Sequence, residues 1–234
     1  MKEVILKKLL FWIVLIAGIL VLIGSCAKKD DSSTTTSSDN TTTSSDNATT
    51  SSDNTSITTT TPSGSITLGS YTMSGVYKSA CGTSAVSYFI SAGAFPSDVQ
   101  SYAFAFVVTG NDNVSMETHT FTDTGCTTSS YIVKLIRDNV TVGTASGANY
   151  PVTYNDQGFK LTVNTTTAET WLETLYANQG RTLDFTVGRE MGVYPASFTL
   201  TYGLWTPSAT TIYLAAESTD STPSTAGVIV YTKE

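Results

Sequence analysis

The chain has 234 residues, with 12 Lys and Arg against 19 Asp and Glu, a formal charge of −7 and only 13% charged side chains. Beyond position 65 the basic residues Lys78, Lys134, Arg137, Lys160, Arg181, Arg189 and Lys233 are scattered, so no cationic track faces a phosphate backbone and nucleic acid is excluded as a partner. Abundant Thr, Ser, Tyr, Gly and Val favour β structure punctuated by turns.

At the N-terminus, Lys2, Lys7 and Lys8 surround the start of an apolar run over residues 9–23, which is short for a bilayer span and reads as a signal peptide. The run closes on Ile23-Gly24-Ser25-Cys26, which resembles the lipobox of bacterial lipoproteins. That resemblance implies that residues 1–25 are removed and that Cys26 becomes a lipid-modified N-terminus, which makes the membrane a partner through the lipid. Ala27, in place of the aspartate that retains some lipoproteins at the inner membrane, points to an outer-membrane protein, periplasmic or surface-exposed. A transmembrane anchor, or an ordinary secretion signal with a chance cysteine, is the alternative. Removing residues 1–25, with three lysines and one glutamate, takes the formal charge from −7 to −9.

Residues 26–65 read as a disordered linker. The block Thr34-Thr35-Thr36-Ser37-Ser38-Asp39-Asn40 recurs at 41–47 and, with one Ala, at 48–54. A seven-residue period suggests a coiled coil only when apolar side chains fall three and four apart, and none do here. With nothing to bury, ordering entropy is not offset. A flexible coil of this length spans roughly 35 Å and stretches to about 130 Å. The segment is either a stalk, glycosylated or wall-spanning, or soluble filler.

With Cys26 assigned to lipid, Cys81 and Cys126 remain, and an oxidising compartment makes them a disulfide pair. Free thiols with catalytic or metal roles would need a C-x-x-C spacing or a helix N-terminus, and neither is present.

Residues 66–234 suffice for one β domain. The clearest strand is 100–109, where Tyr102, Phe104, Phe106 and Val108 alternate with small residues and give one bulky face. Further strands are expected over 70–78, 85–91, 114–121, 131–137, 140–144, 159–164, 183–187, 197–204, 211–215 and 228–233. Turns are expected at 110–113, 138–139, 155–158 and Pro207. Between them, Thr167, Glu169, Trp171, Leu172, Leu175 and Tyr176, with Gly180 as a stop, predict one short amphipathic helix. About ten strands and a single helix fit an all-β, antiparallel barrel or sandwich, and closure removes exposed edges.

Four landmarks follow one another: Gly75-Val76-Tyr77-Lys78-Ser79-Ala80-Cys81, the aromatic strand Ser101-Tyr102-Ala103-Phe104-Ala105-Phe106, Phe121-Thr122-Asp123-Thr124-Gly125-Cys126, and Thr211-Ile212-Tyr213-Leu214 with Val230-Tyr231-Thr232-Lys233 near the end. This order resembles the lipocalin-like secreted domains of bacterial lipoproteins over about residues 69–233. The resemblance implies an up-and-down barrel with a possible cavity and names no ligand. The helix at 167–178 and the lack of an arginine before Pro223 depart from the pattern.

Candidate chemistry is sparse. Asp123-Thr124-Gly125 matches an aspartic-protease turn, but that chemistry needs two aspartates, which only a homodimer would supply; a plain turn leading into the disulfide is the competing reading. His119, the single histidine, shares a strand face with Glu117, without the further groups of a nucleophilic site. Asn111-Asp112-Asn113 and Asn155-Asp156-Gln157 resemble calcium-loop fragments and lack the rest of such a loop. No metal or cofactor is expected. The bulky face of Tyr102, Phe104 and Phe106 is the candidate lining for a small apolar ligand. The expected function is a non-catalytic, lipid-anchored lipocalin-like protein, with a solid-core structural or adhesive surface protein, and then a dimeric hydrolase, as alternatives.

Overall fold

The computed structural model describes residues 57–194 and 198–234. The signal segment, Cys26 and most of the repeat linker lie outside the described residues. Eight strands close into an antiparallel up-and-down barrel: β3 (Val76–Lys78), β4 (Ser101–Val108), β5 (Val114–Phe121), β6 (Ser129–Val142), β7 (Tyr150–Val163), β9 (Thr199–Pro207), β10 (Thr211–Leu214) and β11 (Val230–Lys233), which pairs back onto β3. The all-β, lipocalin-like expectation therefore holds. A short β8 (Glu190–Val193) pairs with residues 159–162 of β7, while β9 pairs with residues 150–156. The small hairpin of β1 (Ile66–Leu68) and β2 (Tyr71–Met73) stands apart from the barrel sheet and turns at Gly69, whose φ is +59°. A Cβ at Gly69 would lie 2.3 Å from the Tyr150 hydroxyl, so the turn needs glycine on both counts.

Among the described residues there are two helices where one was expected. Helix α2 (Thr166–Ala177) is the predicted one; its N-cap Thr165 accepts from the Ala168 N–H at 3.1 Å and donates to Asp98 Oδ2 at 2.6 Å. Segment 85–91, expected as a strand, is instead helix α1 (Val86–Ser91). Val86 and Phe89, three apart, are the residues it buries, and that spacing prevails over the period of two.

Segment 183–187 also alternates but forms no strand. The Phe185 N–H, which a strand neighbour would have taken, donates to Glu173 of α2 at 3.2 Å, and the Phe185 ring packs against Tyr176. The turn expected at 138–139 lies inside β6, with Asn139 at φ +51° in a register shift. The turn expected at 155–158 is likewise a bulge within β7, with Gly158 at φ +104°.

The interior holds two apolar clusters. One gathers Phe89, Phe95, Tyr102, Tyr131, Leu172 and Tyr176, so α1 and α2 close that end of the barrel. The other gathers Leu68, Met73, Tyr77, Phe106, Tyr154 and Trp205, so the β1–β2 hairpin closes the opposite end. Outside the barrel wall, Cys81 and Cys126 form a disulfide with their Cα atoms 6.0 Å apart, as expected. The chain ahead of β1 crosses the same wall: Ile57 packs with Ala103, Phe121 and Cys126, and the Ser63 N–H donates to the Val108 carbonyl at 2.9 Å.

Candidate functional site in the barrel interior

Strand register assigns the inward side chains. In antiparallel pairs opposed residues share a face, so the row Phe104, Thr118, Val133, Leu161 and the row Phe106, Met116, Leu135, Phe159 both point into the barrel. Their burial is uneven. Phe106 and Leu161 are enclosed, whereas Phe104, Thr118, Val133, Met116, Leu135 and Phe159 are only half-buried. An inward side chain of a closed barrel stays accessible only beside a space wide enough for water. We read this half-buried inward layer between the two packed ends as a hollow.

Among the expected lining residues, the structure distinguishes three roles along one strand face. Tyr102 belongs to the helix-capped end, where its ring lies 5.6 Å from Phe89 and 5.8 Å from Phe95 and its hydroxyl donates to the Ser84 carbonyl. Phe106 belongs to the hairpin-capped end, edge-on to Trp205 at 5.1 Å. Phe104, between them, touches both clusters and keeps an exposed edge. Only Phe104 of the three borders the hollow.

One step further along β6 from Leu135, the same face presents Arg137, which is 1% exposed. Its Nη1 donates to Asp156 Oδ1 at 2.8 Å and its Nη2 to Glu217 Oε2 at 2.9 Å, while its guanidinium lies 5.6 Å from the centre of the Tyr154 ring. The Tyr154 hydroxyl donates to Glu217 Oε1 at 2.7 Å. Burial alone would lower the Arg137 pKa, but the Glu217 and Asp156 charges outweigh it and hold the guanidinium protonated. Burial together with the Glu217 charge pushes the Tyr154 and Tyr231 hydroxyls well above their usual range. In the sequence Arg137 stands only as one of several scattered basic residues and Asp156 in an expected turn. Parity carried the missed signal, since Arg137 follows Tyr131, Val133 and Leu135 at intervals of two.

A second concavity, an open groove of about 620 Å³, runs between α1 and α2 and is lined by Ile90, Phe95, Thr170, Trp171 and Thr174 among others.

The remaining candidates are structural in their geometry. His119 and Glu117 do share a face, the outward one, yet both are buried beneath the segment that precedes β1. His119 Nε2 lies 2.9 Å from Glu117 Oε2, while Glu117 Oε1 accepts from Ser115 Oγ at 3.1 Å and from the Thr60 N–H at 3.0 Å. The carboxylate sits between hydroxyl and imidazole, so the order is wrong for a base that activates a nucleophile. Asp123 is saturated within its own turn by the N–H groups of Gly125, Thr127 and Thr128 and by the Thr127 hydroxyl. Desolvation raises its pKa, and these four hydrogen bonds outweigh it and bring the value down to about 2. Among the described residues no group of three or more His, Cys, Asp or Glu is placed to hold a metal ion. Asn111 Oδ1 accepts from the Ser65 N–H and Asp156 binds Arg137, so neither calcium-like fragment forms a loop site.

No protein-family model matches the chain, and no curated protein is similar to it in sequence.

Proposed function

We propose that this protein is a lipid-anchored, extracytoplasmic binding protein that holds a small apolar or amphipathic molecule inside its barrel without chemically altering it. The observation that carries the reading is the half-buried inward layer of Phe104, Met116, Thr118, Val133, Leu135 and Phe159 between two packed ends. A barrel with nothing to hold gains stability by filling that layer, because unfilled volume costs about 24 cal/mol per Å³. The lipobox-like Ile23-Gly24-Ser25-Cys26 and the polar repeats after it support an envelope location on a tether of roughly 35 Å reach.

The test uses the full chain reconstituted in lipid nanodiscs, titrated with 1-octanol in a calorimeter, with empty nanodiscs as the reference for partitioning. Saturable binding at one site is expected, and Leu135→Trp, which fills the hollow, is expected to abolish it while the circular dichroism spectrum is kept. Binding that survives Leu135→Trp would place the ligand elsewhere and overturn the reading. A second reading, adhesion through the surface, draws on Tyr194, Phe198 and Leu200, large apolar side chains that are exposed near the junction of β8 and β9.

A further inference from the structure

The charges of the barrel divide by face. On the outside, Lys134 and Lys160 both pair with Glu190 at 3.2 and 3.0 Å, and Lys78 pairs with Glu234. Inside, one cation, Arg137, meets two carboxylates, Asp156 and Glu217. The other titratable groups at this cluster, Tyr154 and Tyr231, are held neutral by burial and by Glu217. The cluster therefore carries one uncompensated negative charge.

That charge sits at the edge of the hollow. Arg137 is two residues from Leu135 on the inward face, and Asp156 opposes it across the β7 bulge. The guanidinium is shut in, whereas the Asp156 and Glu217 side chains keep 21% and 13% of their surface. Among the described residues Asp156 takes its hydrogen bonds, from Arg137 and from the Gly158 N–H, on Oδ1 and none on Oδ2. Thr199, the inward cross-strand partner of Asp156, is exposed, so the hollow meets solvent beside these two residues. A partly desolvated carboxylate without its own counter-ion is costly, and a cation delivered to it forms the stronger, charge-assisted class of hydrogen bond.

We infer that the ligand is a single-chain amphipath with an ammonium head, the head seated on Asp156 Oδ2 and Glu217 and the chain lying along Leu135, Met116 and Phe104. This rests on the reading that the hollow is the binding site, and it adds the sign of the head group. The amine stays protonated throughout and no bond is made or broken.

The experiment compares octylammonium, 1-octanol and octanoate on the nanodisc-held full chain, each against empty nanodiscs. Octylammonium is expected to bind on the order of tenfold more tightly than octanol, with octanoate weakest. Asp156→Asn and Glu217→Gln are each expected to erase most of the preference for ammonium over octanol. The two substitutions act on different segments of the site, β7 and the loop that follows β10, and the comparison of head groups on the unsubstituted chain decides the matter even if a variant fails to fold. Equal affinity for the three probes, tighter binding of octanoate, or an ammonium preference that survives both substitutions would overturn the inference and leave the hollow as a binding site. Binding of none of the three to the folded chain would remove the hollow as a site altogether, and the inference with it.

Discussion

The Arg137 guanidinium and the Glu217 carboxylate meet at 2.9 Å although 80 residues separate them in sequence. Glu217 follows β10 and Arg137 stands on β6, so their contact ties two distant walls of the barrel across its interior.

The first prediction follows from the cost of leaving that tie half-made. Arg137→Met strands two partly buried carboxylates beside each other, and breaking such a pair from one side typically costs about 3–5 kcal/mol. Replacing all three charges, as Arg137→Met with Asp156→Leu and Glu217→Leu, is expected to recover most of the loss. Urea unfolding of the two variants measures it, and a single-variant cost below about 1 kcal/mol would show that the network does not hold the walls together.

Along β4, stability and binding are expected to separate. Phe106 is fully enclosed against Trp205 and Tyr77, so Phe106→Ala should cost about 3–5 kcal/mol. Phe104→Ala removes a ring that already has one open side, so it should cost clearly less while weakening octanol binding more than any other substitution on this strand. The paired unfolding and calorimetric measurements decide, and equal stability costs at the two positions would contradict a hollow beside Phe104.

The disulfide gives a third expectation. Cys81 and Cys126 are 45 residues apart in sequence, and closing a loop of that size stabilises by at most about 4 kcal/mol through the unfolded chain. Thermal unfolding of Cys81→Ser with Cys126→Ser should therefore show a lower midpoint than the native chain, and the native chain under reductant should shift the same way. An unchanged midpoint in both would mean that the β3–β4–β5 pairing alone fixes this wall.

These expectations depend on features that sequence discloses unequally. The inward face of β4 was plain from Tyr102, Phe104 and Phe106, because bulky and small residues alternate without interruption from Ser101 to Phe106. The identity of α1 was hidden, since Val86, Tyr88 and Ile90 mimic a strand and only packing of Phe89 against Phe95 and Tyr102 reveals the helical spacing. Arg137, Asp156 and Glu217 were legible singly and not together. No local rule links residues 80 positions apart, and the bulge that turns Asp156 inward reads locally as a turn. The buried Glu117–His119 pair was visible as a shared face, while its burial depends on the Thr60 segment that composition assigned to the linker.

The last prediction concerns acid. The Asp123 carboxyl ordinarily titrates near 3.8, and in the fold it is held down to about 2. Glu117 is likewise lowered from 4.5, because hydrogen bonds from His119 and Thr60 outweigh the opposing effect of burial. Both folded values lie below the unfolded ones, so the stability these groups contribute is fully present above about pH 5 and is lost as the pH falls through the folded values. Asp123→Ala should therefore lower the unfolding midpoint by a few degrees at pH 7, and the gap to the native chain should close between about pH 4 and pH 2. Glu117→Gln should behave the same way, its gap narrowing as the pH drops below about 4.5. Midpoints collected at pH 7, 5, 4 and 2.5 test both. A gap that stays constant across that range would show that the carboxylate charge is not what these turns and the overlying segment use.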